Sequence, residues 1–234
     1  MTERPRDAVS RTTNSFDVGP SQLSWDGQSL TIRLDEITVP IPRRLRGTVR
    51  VFPRFVTEQV FALNDSGNHR WWPVAPHARV EVALDEPHLR WHGDGYFDMN
   101  QGDAPLESGF SDWQWSRGAT RDGAVILYEA MRRDGSRVDL AMTFDRQGRM
   151  QSFEPPPLRK LKPTGWRVGR DVRSEEAARI SQTLEDAPFY ARSVVSARLR
   201  GEPVTLMHES LSLDRFRMPI VQAMLPFRMP RARR

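Results

Sequence analysis

Two short clusters of aromatic and polar residues contain the side chains with the clearest chemical potential. His69 and Trp71 belong to the first cluster, and Tyr96 and Asp98 belong to the second. Alternate residues of an extended strand share a face, so the two members of each pair are expected to point the same way. An aspartic acid held against indole and phenol rings loses hydration, which favours its neutral, protonated form. The two clusters therefore indicate a buried acid that faces an apolar substrate.

The residues alone leave two interpretations of Asp98 open. In the first, the tryptophans belong to a core, and Asp98 opens a polar turn that runs to Asp103. In the second, Asp98 protonates an alkene, and neighbouring aromatic faces stabilise the resulting carbocation by cation–π attraction. Composition alone favours the first interpretation, whereas the second requires a neutral, desolvated acid beside a shielded cation.

The chain lacks the residue patterns of several other catalytic classes. It has no cysteine, which excludes disulfides, thiolate nucleophiles and cysteine-ligated metals. It has no Gly-x-Ser-x-Gly elbow and no phosphate-binding lysine loop, and residues 93–95 (GDG) lack the third glycine of a dinucleotide loop. None of its histidines has a helical His-x-x-x-His context or a nearby carboxylate at ligand spacing, since His88 and His92 fall on an expected strand, so no metal site is expected. These histidines are His69, His77, His88, His92 and His208.

The charge of the chain limits its partners. Thirty-five lysines and arginines against 30 aspartates and glutamates give a net charge of +5 and a pI of about 10.3. Most of the positive residues are scattered between acids, whereas a nucleic-acid-binding protein concentrates them on one face, so no nucleic-acid partner is predicted. Residues 228–234 form the one dense basic cluster. No signal-peptide run and no stretch of about 20 apolar residues is present, so the chain is not expected to cross a membrane.

Strands are expected to carry the two clusters. Glycine-containing turn signals separate runs in which apolar and polar residues alternate, a pattern typical of antiparallel hairpins. The turn signals are at residues 26–27, 65–67, 122–123, 134–135 and 147–148, and the runs are residues 30–34, 49–51, 79–82, 124–131, 138–142 and 204–213. The chain is therefore predicted to be all-β, with a meander that closes into a barrel.

Less regular segments complete the predicted organisation. Residues 155–163 are rich in proline and lysine, which predicts a stiff loop over the barrel surface. A helix is predicted over residues 213–224, with Asp214 as its cap and Pro226 as its stop. Its apolar stripe either packs as a lid on the barrel or forms a basic amphipathic edge that touches lipid. A boundary near Pro87 predicts two domains, residues 1–87 and 88–234.

Six motifs in the same order along nearly the whole chain resemble the carotenoid 1,2-hydratase family, also called hydroxyneurosporene synthase. The motifs are residues 70–76 (RWWPVAP), 95–103 (GYFDMNQGD), 110–117 (FSDWQWSR), 183–193 (TLEDAPFYARS), 208–216 (HESLSLDRF) and 225–230 (LPFRMP). The resemblance implies two lipocalin-like antiparallel β-barrels and a cofactor-free addition of water. Its expected substrates are acyclic carotenoids such as neurosporene and lycopene, hydrated at the C1–C2 double bond to a tertiary alcohol.

The resemblance also implies a set of site residues. Asp98 is the expected proton donor, and Trp71 and Tyr96 are expected to stabilise a tertiary cation at C1. His69 either orients or deprotonates the attacking water, or it hydrogen-bonds Asp98, and the sequence leaves these roles open. Two further functions also stay open, namely a non-catalytic carotenoid or lipid binder and a related polyene or terpenoid isomerase or cyclase.

The same resemblance leads to expectations about the N-terminus and the location of the protein. The first barrel is expected to lack an N-terminal segment that other family members carry. Because the substrate is too apolar to diffuse freely in water, the protein is expected to be cytoplasmic and to associate peripherally with the inner or intracytoplasmic membrane. The basic C-terminus favours this contact. The oligomeric state is not predicted.

Overall fold

The computed structural model describes residues 4–39 and 41–225, and strands that pair antiparallel dominate them. The strands are β1 (Val9–Arg11), β2 (Ser15–Val18), β3 (Ser21–Trp25), β4 (Leu30–Ile37), β5 (Arg44–Pro53), β6 (Phe61–Ala62), β7 (His69–Glu86), β8 (Leu89–Gly102), β9 (Phe110–Thr120), β10 (Gly123–Arg132), β11 (Arg137–Asp145), β12 (Met150–Ser152), β13 (Leu158–Leu161), β14 (Arg170–Arg173), β15 (Arg179–Asp186), β16 (Tyr190–Leu199) and β17 (Glu202–Ser212). Short helices are α1 (Leu106–Gly109), α2 (Leu213–Phe216) and α3 (Pro219–Met224), and Arg6–Ala8 form a 3₁₀ turn. Within these described ranges, no helix is long and apolar enough to span a bilayer.

The chain divides into two compact units, each made of segments that are not consecutive in sequence. The first unit comprises Met1–Phe55, His77–Phe97 and Gln222–Arg234, and the second comprises Val56–Pro76 and Asp98–Val221. The residues of β7 and β8 are thus shared between the units. The predicted domains, residues 1–87 and 88–234, remain a prediction.

In the first unit, β1 to β5 form an antiparallel meander, and β5 pairs with the second part of β7. Apolar residues alternate along these strands, and Val51 lies opposite Val80 in the register. Val51, Val82 and Leu84 are buried. Because alternate residues of a strand share a face, these apolar residues give the sheet one apolar face.

In the second unit, the main sheet has the order β12-β11-β10-β9-β17-β16-β15, and β13 pairs with β14 in a separate hairpin. Strand β10 is buried from Gly123 to Ala130, so both of its faces are covered. Val125 and Leu127 join a core with Val195 and Leu206. Side chains alternate across a strand, so Tyr128 lies on the face opposite this core. That second face of β10 carries the candidate site.

The structure confirms the expected fold class, all-β with two lipocalin-like antiparallel β-barrels and short C-terminal helical structure. Each predicted alternating run lies in a strand except at Leu213, which begins α2. All five predicted turns connect antiparallel strands: β3 to β4, β6 to β7, β9 to β10, β10 to β11 and β11 to β12.

Two local predictions were wrong. The single helix expected over residues 213–224 is two short helices, α2 and α3, and the cap of α2 is Ser212 instead of Asp214. The Ser212 hydroxyl accepts a hydrogen bond from the Arg215 amide, which is the usual capping geometry. Pro226, the predicted stop, lies outside the described residues. The predicted loop over residues 155–163 contains strand β13, because residues 158–161 pair with β14.

Candidate active site

The central contact of the candidate site joins two of the residues expected from the sequence. Trp71 lies near the start of β7 and is fully buried, and Asp98 is half-buried near the end of β8. The indole Nε1 of Trp71 donates a hydrogen bond to Oδ2 of Asp98 at 2.8 Å. Both residues belong to the second unit. The bond fixes the carboxyl group of Asp98 at the edge of a buried indole ring.

Aromatic rings extend from Trp71 across the outer face of β10. The Trp71 ring lies 4.8 Å from the Tyr128 ring, with 38° between their planes, and 5.4 Å from the Phe61 ring. Tyr128 in turn lies 5.4 Å from Trp113 of β9. Tilted and offset contacts at these distances are favourable between aromatic rings. The site therefore has a continuous aromatic wall with one carboxyl group beside it.

Tyr128 is 2% exposed, and its environment keeps the phenol neutral. Burial, together with the negative charge of nearby Asp98, raises the pKa of Tyr128 far above its usual value of 10. Its hydroxyl group donates to Oδ1 of Asn100 at 3.0 Å. Asn100 and Asp98 alternate on β8 and so share a face. Tyr128 thus ties β10 to the strand that carries the acid.

His69 is buried two residues before Trp71, and its imidazole packs on glycine backbone. Its ring lies edge-on to Phe110, with centroids 5.3 Å apart. A Cβ atom built on Gly102 would stand 2.5 Å from His69 Nδ1, and one on Gly109 would stand 3.3 Å from Nε2. Contacts this short leave no room for a larger residue at Gly102. The imidazole of His69 can therefore occupy this position because Gly102 and Gly109 carry no side chain.

The four predicted site residues are not all placed in one unit. The structure brings Trp71 and Asp98 into direct contact and places His69 beside Trp71 on β7. Tyr96 is half-buried on β8, two residues before Asp98, but it belongs to the first unit. The catalytic roles of all four residues remain predictions.

Sequence reasoning did not single out Tyr128 and Asn100. The signal that could have identified Tyr128 is a tyrosine within the run of residues 124–131, where a buried hydroxyl group requires a hydrogen-bond partner. Asn100 could have been identified because it follows Asp98 by two residues and so faces the same side of β8. The partnership between them depends on long-range packing that local patterns do not encode.

A narrow apolar crevice borders the aromatic wall. It has an empty volume of about 180 Å³ without space for a water-sized sphere. Its lining residues are Leu63, Leu106, Phe110, Trp113, Tyr128, Ala130 and Leu213. This lining offers hydrocarbon and ring surface and no charged side chain, so the surroundings of the aromatic wall suit an apolar ligand.

A second polar cluster occupies the opposite face of the same sheet. His208 is 1% exposed, and its Nδ1 lies 2.8 Å from the hydroxyl oxygen of Ser116, with Ser210 on its other nitrogen. Burial, together with the charge of Arg170, lowers the pKa of His208 to about 4. A buried neutral histidine with both nitrogens in hydrogen bonds is a structural feature of the barrel interior. Across the described ranges, no group of three or more metal-binding side chains occurs.

Comparison with known proteins identifies the family. The family model described as carotenoid hydratase CrtC matches residues 1–234. The chain belongs to the carotenoid hydratase family. The match spans the whole chain and confirms the resemblance seen in the sequence motifs.

Named members of the family are close in sequence. The acyclic carotenoid 1,2-hydratase of Thiocapsa roseopersicina is 51% identical over 99% of this chain, and that of Rubrivivax gelatinosus is 48% identical over 99%. This family member spans 58% of the length of each of these two relatives. A crystal structure of a putative AttH from Nitrosomonas europaea superposes with a TM-score of 0.56 at 12% sequence identity. The superposition covers 89% of this chain and 72% of the AttH chain. This last similarity shows a shared fold.

Proposed function

We propose that this protein adds water across the C1–C2 double bond of an acyclic carotenoid such as neurosporene or lycopene. The hydrogen bond from Trp71 to Asp98 within the aromatic wall is the observation that carries the proposal. It combines the two requirements of alkene protonation, namely a positioned acid and a shielded surface for a cation. Membership of the carotenoid hydratase family supports the reaction and the substrate class.

The proposed reaction has two steps. Protonated Asp98 transfers its proton to C2, and the π electrons of the double bond form the new C–H bond, which leaves a tertiary cation at C1. Water then adds to C1 through an oxygen lone pair, and the oxonium ion loses one proton to a base. When this proton returns to Asp98, directly or through His69, the acid is regenerated and no cofactor is consumed.

The geometry supports Asp98 as the acid. Oδ2 of Asp98 accepts from the Trp71 indole, so we assign the transferred proton to Oδ1. A carboxyl group that is held by one bond loses less orientational freedom when the substrate binds, which lowers the barrier to proton transfer. Trp71 thereby has two roles, because its N–H orients the acid and its π face attracts the cation.

The remaining aromatic and polar residues have supporting roles in the proposal. Tyr128 and Trp113 extend the ring surface on which the cation is stabilised. Tyr96 is assigned the same role because it precedes Asp98 by two residues on β8. His69, fixed against Gly102 and Gly109, is proposed to orient water or to accept its proton.

Association with a membrane surface is also part of the proposal, because an acyclic carotenoid partitions into a bilayer. Residues 228–234, the basic cluster expected to favour this contact, lie outside the described residues. That this chain has the activity of its longer relatives is likewise a proposal.

Incubation of the purified protein with lycopene in detergent tests the proposed function. We expect the 1-hydroxy product from the native chain and none from Asp98→Asn, which keeps the size of the side chain but cannot donate the proton of an acid. Asp94→Asn is the matched control, because Asp94 is an exposed carboxylate on the same strand. Recovery of unaltered lycopene from the native protein would indicate a binder, and a rearranged product without added oxygen would indicate an isomerase or cyclase.

A further inference from the structure

The loop between β13 and β14 presents an exposed tryptophan from a fixed backbone. The amide of Gly165 donates to Oδ2 of Asp186 at 2.7 Å, and the carbonyl of Trp166 accepts from Nη1 of Arg215 at 2.5 Å. The Arg167 amide closes the turn onto the Thr164 carbonyl at 2.9 Å. The Trp166 side chain nevertheless remains 51% exposed. The loop is anchored on both sides of an indole that it does not bury.

Other large apolar side chains near the Arg215 anchor are also exposed. Arg215 belongs to α2, and the residues that follow it include Met218 at 47% exposure and Ile220 at 63%. The Met218 amide donates to the Arg215 carbonyl at 3.0 Å, which fixes this turn next to the anchor. Exposed large apolar side chains that follow one another closely in sequence, as these two do, are typical of interaction sites.

Cations are concentrated around the same loop. The only two lysines of the chain are exposed, with Lys160 near the end of β13 and Lys162 at the first position of the loop. They line a concavity of about 610 Å³ together with Arg170 and Arg179, and Asp186 is its one acidic lining residue. Oδ2 of that aspartate is already engaged by the Gly165 amide. The concavity therefore has a net positive charge beside an exposed indole.

We propose that the Trp166 surface docks onto a bilayer that contains anionic lipids. This surface consists of the exposed residues Lys160, Lys162, Trp166, Arg167, Arg179, Met218 and Ile220. Tryptophan prefers the interfacial region of a membrane, where its ring contacts acyl chains and its N–H stays near water. Lysine and arginine at the same level attract anionic headgroups, with long apolar stems that tolerate partial insertion. The combination of an apolar tip and a cationic rim matches this partner in both polarity and charge.

The inference rests on the proposed function in one respect, because a membrane-resident substrate gives the protein a reason to dock. Docking of this surface on a bilayer does not require turnover of a substrate. Its test is therefore vesicle binding without any carotenoid, so that a failed docking experiment and a failed hydratase assay are separate results.

The experiment measures cosedimentation of the full chain with vesicles of phosphatidylcholine and phosphatidylglycerol, and with vesicles of phosphatidylcholine alone. Trp166→Ala is compared with Trp91→Ala, because Trp91 is exposed to a similar extent, 49%, on β8. Lys160→Gln/Lys162→Gln is compared with Arg33→Gln/Arg90→Gln, which removes the same charge from exposed arginines elsewhere.

We expect the native chain to bind the anionic vesicles more tightly than the neutral ones. Substitution of both lysines should weaken binding by about tenfold to thirtyfold, and Trp166→Ala should weaken it by about tenfold. Both control variants should bind like the native chain. The proposal is overturned if the native chain does not bind anionic vesicles, if the Trp166 and lysine variants bind normally, or if the controls lose as much binding as the test variants.

Discussion

Replacement of Trp71 by phenylalanine separates the two roles assigned to its indole. The substitution keeps an aromatic face next to Tyr128 but removes the N–H that donates to Asp98 at 2.8 Å. Loss of a hydrogen bond to a neutral carboxylic acid costs about 1 kcal/mol of stability, and the smaller ring leaves space at a position that is fully buried. The loss of orientation at Asp98 should lower kcat by about 100-fold, because small displacements of a catalytic group are that costly.

The neighbouring Trp72 provides a matched control for this prediction. It lies on the other face of β7, and its Nε1 donates to the Thr57 carbonyl at 2.8 Å. Trp72→Phe therefore makes the same change to the side chain and removes a hydrogen bond of the same length. It leaves the hydrogen bond to Asp98 in place. Its cost in stability should be about 1 kcal/mol, and its effect on kcat should be small.

Chemical unfolding and steady-state turnover of lycopene measure the two effects side by side. The expected pattern is a loss of stability in both variants and a loss of kcat in Trp71→Phe alone. Equal losses of kcat in the two variants would show that the indole acts only through the stability of the fold. A normal kcat in Trp71→Phe would refute the claim that the Trp71 N–H orients the acid.

Three further predictions concern neighbouring parts of the second unit. Gly102→Ala should displace the imidazole of His69, since the added Cβ would stand 2.5 Å from Nδ1, and lower turnover by at least tenfold in the lycopene assay. Tyr128→Phe should cost about 1 kcal/mol in chemical unfolding but retain most turnover, whereas Tyr128→Leu should lose turnover because it removes the ring. His208 has a pKa of about 4 in the folded protein, compared with an ordinary value of 6.5. The stability that depends on its neutral form should therefore be fully present above pH 6.5. It should fall by about 3 kcal/mol as the pH drops to 4, and His208→Gln should remove this dependence, as urea titrations across that range would show.

The strands were predictable because their signals are local. Alternation in residues 30–34 and 138–142 and a glycine turn such as Asp134-Gly135 specify a hairpin within a few residues of one another. The prediction of a single helix failed because an apolar stripe does not distinguish one helix from two short ones. Ser212 also competes with Asp214 as the cap. Strand β13 was missed because its pairing with β14 depends on residues nine or more positions away.

The site was predictable only in part. His69, Trp71 and Asp98 were identified from clusters in which chemistry and spacing are visible within each strand. The bond between Trp71 and Asp98 joins residues 27 positions apart, so alternation indicated which side chains share a face but not which atoms meet. Tyr128 entered the site through packing between β10 and β8, which no local pattern specifies.

The isotope content of the product reports directly on the proton and the oxygen that are added to the C1–C2 bond. Lycopene is converted in D₂¹⁸O, and the product is analysed by mass spectrometry and NMR. We expect one non-exchangeable deuterium at C2 and one ¹⁸O at C1, because the proton from Asp98 equilibrates with solvent and water captures the cation. A product that carries ¹⁸O but no deuterium at C2 would contradict protonation of the double bond by Asp98.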